Sequence, residues 1–171
     1  MTADPCAGTF RAFLGRARDA RVLELGGTSL ERWAAHGRAS AYRTLPEDDL
    51  DGWSGHADGT FDLVASWMAV QRTRNLARLL GTVHHHLRPA GRLVLAVPHP
   101  LATAAAGDGP PAYFREGERK AGGELVRHRT MASYLNELSL CGFQLVELSE
   151  GGSGGLPTGL VLRCRRAGVS V

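Results

Sequence analysis

Short apolar runs alternate with helix-period segments along the middle of this chain. Apolar runs of strand length occur at residues 22–25, 61–66 and 93–97. Between the last two, apolar residues recur every three or four positions over residues 73–87, which predicts a helix that faces the core. The run at 93–97 is almost wholly apolar, as is typical of a strand buried in a parallel sheet. The alternation therefore predicts βαβ units and an α/β domain.

Weaker patterns flank this core. Residues 6–20 have the spacing of an amphipathic helix, which would cover the sheet edge or a ligand mouth. Residues 38–45 predict a second strand, and residues 46–59 an acidic, turn-rich segment with one helical turn and a turn at Asp58. Because 171 residues fit one domain, we expect a single domain over residues 1–171.

The C-terminal third begins with a long connection over residues 101–127, which we expect to act as a lid. Thr130 is then predicted to cap a helix that ends at Gly142. Strands at 143–149 and 160–165, separated by a flexible glycine-rich loop, are predicted to pair as an antiparallel hairpin at the sheet edge.

A glycine turn follows the first predicted strand. Gly26 and Gly27 permit positive φ and the close approach of a ligand. Thr28 and Glu31 have the spacing of a capping box, so a helix is predicted to begin where the glycines end. Strand, glycine turn and helix start suit a cofactor site, or equally a plain β–turn–α unit that binds nothing.

The composition is that of an ordinary globular domain. Hydrophobic residues make up 43% of the 171 residues and charged residues 22%, which is sufficient for one buried core. The formal net charge is +3, the basic residues are spread along the chain, and aromatic residues make up only 6%. We therefore expect no nucleic-acid partner.

Cysteine and histidine spacing argues against a metal or disulfide framework. Cys6, Cys141 and Cys164 lie far apart. The run at residues 84–86 consists of three adjacent histidines, whereas helical metal ligands need a spacing of three or four. No apolar segment has the length of a signal-peptide core or of a membrane span, so we expect a cytoplasmic protein with no membrane partner.

Several stretches, in the correct order, resemble motifs of class I S-adenosylmethionine-dependent methyltransferases. Residues 22–28 (Val-Leu-Glu-Leu-Gly-Gly-Thr) are similar to the glycine-rich first motif, residues 58–66 to the fourth-strand motif, and residues 87–95 to the turn into strand five. Segments further on resemble small bacterial members of the family: residues 97–100, 113–119, 128–130, 134–136 and 141–143. The resemblance covers most of the chain from residue 21 to residue 165.

The resemblance implies a Rossmann-like, doubly wound, mostly parallel sheet with a C-terminal antiparallel hairpin. The chain between strand two and Phe61 is about one helix–strand unit shorter than the family pattern, so we expect that unit to be absent. Gly26 and Gly27 are adjacent where the family usually spaces its glycines. Arg43 stands near the position of the acid that holds the cofactor ribose, and arginine has only donors. Asp48 or Asp49 is the alternative acid.

The resemblance also implies a site for S-adenosylmethionine, the expected cofactor. The expected cofactor residues are Glu24, Gly26, Gly27, Thr28, Ser66 and Trp67. Glu24 would hold the amino group of the methionine moiety, or it would cap the turn instead. Trp67 could equally belong to the core.

Three residues further along are candidates for the acceptor site. His99 is expected at the carboxyl edge of the sheet, where ligands bind in open α/β sheets, and an imidazole suits a general base. His128 is a second catalytic candidate, and His99, His128 and Tyr113 are all expected to contact substrate. The structural alternatives are a histidine held in a Pro-His-Pro turn, a helix-entry role for His128 and packing of the connection for Tyr113.

The resemblance predicts an S-adenosylmethionine-dependent methyltransferase-like enzyme that acts on a small molecule in bacterial secondary metabolism. Methyl transfer requires mainly proximity, alignment and sometimes a base. One alternative is an enzyme of this fold that transfers no methyl group, such as a cyclase or isomerase. Another is a non-catalytic partner subunit, and a homodimer would replace the absent unit. Fold alone does not decide among them.

Overall fold

The computed structural model describes residues 4–55, 59–106, 112–121 and 124–168, so the turn predicted at Asp58 lies partly outside the described residues. The strands are β1 (Arg21–Leu25), β2 (Ala41–Leu45), β3 (Phe61–Trp67), β4 (Leu87–Pro98), β5 (Gly117–Ala121), β6 (Glu124–His128), β7 (Phe143–Ser153) and β8 (Leu156–Arg166). The α-helices are α1 (Ala7–Leu14), α2 (Glu31–His36), α3 (Leu76–His86), α4 (Pro100–Ala104) and α5 (Met131–Leu140). Short 3₁₀ turns occur at Glu47–Asp49 and Val70–Arg72.

Six strands form one sheet in the order β2-β1-β3-β4-β8-β7. The first four are parallel, whereas β8 runs antiparallel to both β4 and β7. This arrangement confirms the predicted doubly wound sheet with a C-terminal hairpin. The chain passes from β2 directly to β3 on the far side of β1, so the sheet ends at β2 and the predicted absence of one helix–strand unit is confirmed.

Alternate residues of the central strands pack on opposite faces of this sheet. Leu23 and Leu25 of β1 belong to the cluster that also contains the buried side of α3 and α5. Val22 packs on the other face, in a cluster with Phe10 and Phe13 of α1 and with Leu30 at the start of α2. The two-residue period of the strands therefore places helices on both sides of the sheet.

Two glycine-containing segments differ from their predictions. The N-terminal helix ends at Leu14 rather than near residue 20, because Gly15 adopts φ +68° and turns the chain. The predicted flexible loop is instead the end of a long hairpin, since β7 and β8 extend to Ser153 and Leu156. Only Gly154 and Gly155, both with positive φ, form its turn.

The predicted connection over residues 101–127 contains regular structure within its described part. It opens in α4, a short helix that packs against β8, and continues into the separate two-stranded sheet of β5 and β6. The β5–β6 hairpin lies beside the turn that follows β3. None of the described helices combines the length and the apolar character needed to cross a membrane.

Candidate cofactor and acceptor site

Glu24 organises the turn that follows β1. Its side chain is buried, and its carboxylate accepts four hydrogen bonds. Oε1 accepts from the N–H (2.9 Å) and the hydroxyl (2.6 Å) of Ser29. Oε2 accepts from the N–H of Leu30 (2.8 Å) and from the Tyr42 hydroxyl (2.6 Å). An ionised carboxylate has about four acceptor positions, so its capacity is taken up inside the protein.

The same carboxylate replaces the predicted capping box. Helix α2 begins at Glu31 with Leu30 at the N-cap, and no side chain caps it from that position, so the Thr28–Glu31 prediction is wrong. Glu24 reaches from the end of β1 to the N–H groups of Ser29 and Leu30, the two residues that precede α2, and so fixes the entry to the helix. The turn-capping alternative for Glu24 is therefore the one that this geometry favours.

The two glycines of the turn have different surroundings. Gly26 has φ +87°, its N–H donates to the carbonyl of Leu45 (2.7 Å), and a Cβ placed there would lie 2.0 Å from Cβ of Ala69. Because Gly26 has no side chain, the end of β1 can pack closely against the end of β2 and the segment after β3. A Cβ on Gly27 would meet only Glu24 Oε1, at an ordinary 3.5 Å, and Ser29 N at 4.0 Å.

Two backbone donors of this turn remain available. Within the described part of the chain, no acceptor binds the N–H of Gly27 or of Thr28. Successive backbone N–H groups at a turn form a concavity that suits an anion. Of the predicted cofactor residues, Gly27 and Thr28 thus have donors to offer to the carboxylate of an amino-acid moiety, and the turn fits that part of S-adenosylmethionine.

Ser66 and Trp67 end β3 beside this turn, in different environments. Ser66 is fully buried, and its hydroxyl donates to the carbonyl of Leu25 (3.0 Å), which ties β3 to β1. Trp67 is half-buried and packs edge-to-face on Phe10, with ring centroids 5.0 Å apart. Trp67 also lines a cavity of about 200 Å³ together with residues of α1 and with Ser29. Trp67 therefore faces open space, and Ser66 does not.

The end of β2 carries no buried acid among the described residues. Arg43 is exposed, and its guanidinium donates to the carbonyl of Tyr42 (3.3 Å). Glu47, just after the strand, pairs with Arg72 at 2.8 Å. Asp48 and Asp49 are exposed in the 3₁₀ turn. The ribose part of the cofactor thus has no preformed carboxylate partner at Arg43.

His99 is held by hydrogen bonds on both ring nitrogens. Its Nδ1 accepts from the N–H of Leu101 (3.1 Å), which caps α4, so its Nε2 is the nitrogen that donates to Glu150 (2.8 Å). The imidazole is 2% exposed. This geometry favours the turn-holding alternative, while the predicted catalytic role for His99 stays a prediction.

His128 lies at the centre of a second hydrogen-bonded group. Its Nε2 binds the carbonyl of Tyr113 (2.7 Å) and its Nδ1 binds the Thr103 hydroxyl (2.7 Å), so it joins α4 to the segment before β5. The Tyr113 hydroxyl in turn accepts from the N–H of Met131 (3.0 Å), at the start of α5. His128 is 1% exposed. The structure brings His128 and Tyr113 together, and their visible partners are internal.

Two residues that the sequence interpretation did not single out complete this region. Glu116 accepts from the N–H and the hydroxyl of Thr130 (2.7 and 2.8 Å) and from Ser133 (2.5 Å). Burial raises the pKa of Glu116, but these hydrogen bonds outweigh burial and hold that pKa below its usual value. Arg129 is buried and donates to the carbonyls of Gln71 and Thr73. Arg129 lies in the His-Arg-Thr segment that resembles the family, and this resemblance was the sequence signal that could have identified it.

The histidine run closes α3 and packs locally. His84 lies edge-to-face on Phe143 (5.4 Å), and the His86 ring packs against Trp53 (5.4 Å). In the described ranges, no three histidine, cysteine or acidic side chains gather in a way that could hold a metal ion. Cys141 binds the carbonyl of Ala77 (3.4 Å), and burial, followed by nearby Glu137, raises the pKa of its thiol.

No protein-family model matches the chain, and no curated protein matches it. An S-adenosylmethionine-dependent methyltransferase from Mesorhizobium loti superposes with a TM-score of 0.82 at 27% identity, over 95% of this chain and 98% of that one. This chain has the class I S-adenosylmethionine-dependent methyltransferase fold. A candidate enzyme of the same class from Listeria monocytogenes has a TM-score of 0.77 at 18% identity, over 94% of this chain and 97% of its own.

Two further structures with the methyltransferase fold belong to enzymes named for different reactions. The 1,6-didemethyltoxoflavin-N1-methyltransferase of Burkholderia thailandensis, solved with 1,6-didemethyltoxoflavin and S-adenosylhomocysteine, has a TM-score of 0.63 at 18% identity, over 96% of this chain and 77% of that one. The [4+2]-cyclase SpnF has a TM-score of 0.60 at 13% identity, over 94% and 81%. The methyltransferase fold therefore also occurs in an enzyme named for a different reaction.

Proposed function

We propose that this protein is an S-adenosylmethionine-dependent methyltransferase that acts on a small molecule in bacterial secondary metabolism. The observation that carries the proposal is the pair of N–H groups on Gly27 and Thr28, which bind no acceptor among the described residues and lie next to Ser29, which lines the Trp67 cavity. The full-length similarity to the Mesorhizobium loti enzyme supports it. The Burkholderia thailandensis protein, with a small molecule in its name, supports the substrate class.

The residues of the turn have separate roles in this proposal. The cofactor supplies a methyl group that is activated on a sulfonium. The N–H groups of Gly27 and Thr28 would hold the carboxylate of its methionine part, and Gly26 gives the turn its shape. Glu24 is a positioning residue, because its carboxylate fixes Ser29 and Leu30 instead of contacting the ligand. Trp67 would line the adjoining cavity, where the acceptor would bind.

The acceptor side is formed by the segment that follows β4. Methyl transfer is an in-line displacement in which the acceptor attacks the methyl carbon as the carbon–sulfur bond breaks, so alignment is the main requirement. His99 and His128 fix α4 and the segment around Tyr113 in place. We propose that they position the acceptor by holding this segment, and that the acceptor's own proton leaves to solvent or to a group of the acceptor.

Calorimetric titration with S-adenosylmethionine and S-adenosylhomocysteine tests the proposal. A Cβ at Gly27 makes only ordinary contacts within the fold, so Gly27→Ala adds a methyl group at the turn and should weaken cofactor binding roughly tenfold, equivalent to about 1.4 kcal/mol. Gly81→Ala is the matched control, because a Cβ on that helical residue meets no heavy atom within 4 Å. Failure of the unsubstituted protein to bind either compound at millimolar concentration would overturn the proposal.

A diverged enzyme that transfers no methyl group is the second candidate. It is favoured by the end of β2, where Arg43 is exposed and Glu47 is paired with Arg72. The fold of SpnF supports it as well. The two candidates differ in their products. Incubation with labelled cofactor and an accepted substrate would yield S-adenosylhomocysteine in the first case and an isomerised or cyclised product without it in the second.

A further inference from the structure

A second cleft, of about 600 Å³, lies between α1 and α2. Its lining includes five basic side chains and no carboxylate: Arg11, Arg16, Arg18, Arg32 and His36. Half-buried Trp33 and the apolar residues Ala17 and Leu30 also line it, together with Ser29 and two glycines. We call it the arginine cleft. Basic residues that are spread along the sequence are thus gathered, because α1 and α2 pack on the same face of the sheet.

The charges of the arginine cleft are largely uncompensated. Within the described residues, the guanidinium groups of Arg11, Arg16 and Arg32 form no hydrogen bond and no ion pair. Arg18 has a single contact with Asp19 at 4.0 Å, and both side chains are mostly exposed, at 72% and 89%. An exposed pair of this kind is screened by water and contributes little. The cleft therefore presents a concentrated positive charge above an aromatic wall.

The arginine cleft is continuous with the candidate methyl-transfer site. Arg11, Ser29 and Leu30 line both this cleft and the cavity that contains Trp67. Ser29 is also one of the residues that Glu24 fixes at the turn. A ligand whose reacting part lies at Trp67 would consequently extend its remaining part between α1 and α2.

We propose that the arginine cleft binds the phosphate groups of the acceptor, which is a phosphorylated small molecule. This inference rests on the proposed function for its reacting end. Guanidinium groups bind phosphate oxygens through paired, charge-assisted hydrogen bonds, and Arg11, Arg16 and Arg32 have these donors free. Trp33 supplies an apolar surface for the part of the acceptor between the phosphate and Trp67. A volume of about 600 Å³ lies within the range of small-molecule sites.

Titration of the full chain with pyrophosphate at low ionic strength, without cofactor, tests the cleft directly. Three Arg-to-Gln substitutions at Arg11, Arg16 and Arg32 remove its free charges. We expect pyrophosphate to bind the unsubstituted protein and to weaken by roughly tenfold for each arginine lost. Substituting Arg115, Lys120 and Arg165 with Gln is the control, because it removes the same charge from exposed positions outside the cleft. Binding in this control should be unchanged.

The outcomes separate this inference from the proposed function. Equal pyrophosphate affinity in the two triple variants, or no binding to the unsubstituted protein at millimolar concentration, would overturn the inference whatever the result with S-adenosylmethionine. Conversely, a cofactor titration that fails leaves the pyrophosphate result standing. The last titration uses a single-stranded oligonucleotide of about 20 nucleotides. Oligonucleotide binding far tighter than pyrophosphate binding, and lost in the cleft variant, would replace the small-molecule assignment with a nucleic-acid surface.

Discussion

The turn after β1 and the segment over residues 112–130 both gather polar groups, but they differ in what those groups bind. In the segment, the imidazole of His128, the carboxylate of Glu116 and the hydroxyl of Tyr113 all bind internal partners. In the turn, the Glu24 carboxylate is equally occupied, yet the backbone donors of Gly27 and Thr28 have no acceptor in the part of the chain that the structure describes. The polar side chains of both regions therefore stabilise the fold, whereas the groups that can bind a ligand are the backbone N–H groups of the turn.

The largest expected effect comes from Glu24→Ala. This change removes one buried acceptor group and leaves the N–H groups of Ser29 and Leu30 and the Tyr42 hydroxyl without their partner. We expect the free energy of unfolding to fall by about 3 kcal/mol, because the orphaned N–H of buried Leu30 costs roughly 1–3 kcal/mol, whereas exposed Ser29 and half-buried Tyr42 regain part of their hydrogen bonding from water. Urea denaturation measures the change.

Tyr42→Phe is the companion to that variant. It removes only one of the four hydrogen bonds of Glu24, so we expect a loss of about 1 kcal/mol. If Glu24→Ala instead lost cofactor affinity with no change in stability, Glu24 would be a direct contact of the cofactor. The turn would then bind its ligand through a side chain as well as through its backbone.

His128→Ala is expected to have the second-largest effect. It leaves the carbonyl of Tyr113 and the hydroxyl of Thr103 without the imidazole that joins them. We expect a loss of about 2 kcal/mol in unfolding free energy, with protease cleavage increasing between residues 112 and 130. If His128 acted only on substrate, this variant would unfold like the unsubstituted protein.

His99→Asn should have a smaller effect. Asparagine can still cap α4 from this position but cannot reach Glu150, so we expect a loss of about 1 kcal/mol. Methyl transfer, measured with an identified acceptor, should decrease by less than roughly tenfold, since a general base typically contributes about 10²–10⁴-fold. A decrease of a hundredfold or more would establish His99 as the base and contradict its turn-holding role.

The smallest effect concerns pH. Burial, followed by the charge of nearby Arg166, lowers the pKa of His84. The unfolded chain therefore binds a proton at pH values where the folded protein does not, so this contribution to stability is complete above about pH 6.5 and decreases as the pH falls below it. The slope cannot exceed about 1.4 kcal/mol per pH unit. The difference between the urea stability curves of the unsubstituted protein and His84→Gln, from pH 7.5 to 5.5, measures it, while cofactor affinity at pH 7.5 should not change.

The parallel core could be predicted because its signals are local. Strands β1, β3 and β4 contain apolar runs bounded by turn residues, and α5 carries its own cap, since Thr130 accepts from the N–H of Ser133. The end of α5 just before Gly142, which has φ +82°, is likewise determined by the local sequence. These features depend on neighbours in the sequence, so a pattern along the chain reveals them.

The β5–β6 hairpin and the role of Glu24 depend on residues that are distant in sequence. The β5–β6 hairpin is fixed in part by Arg119, which donates to the carbonyls of Ala104, Ala112 and Arg115. The occupation of Glu24 requires Tyr42 from another strand. The sequence therefore predicts the turn after β1 as a candidate site, and the roles that the geometry favours for its side chains required the folded structure.

The end of the sheet at β2 has a consequence for association between molecules. An edge strand presents unpaired backbone groups to any other extended chain, and charged side chains on the edge are a common means of preventing such pairing. Arg43 is exposed on β2 at this edge. We therefore expect the exposed charge of Arg43 to disfavour pairing of β2 with an extended segment of another molecule.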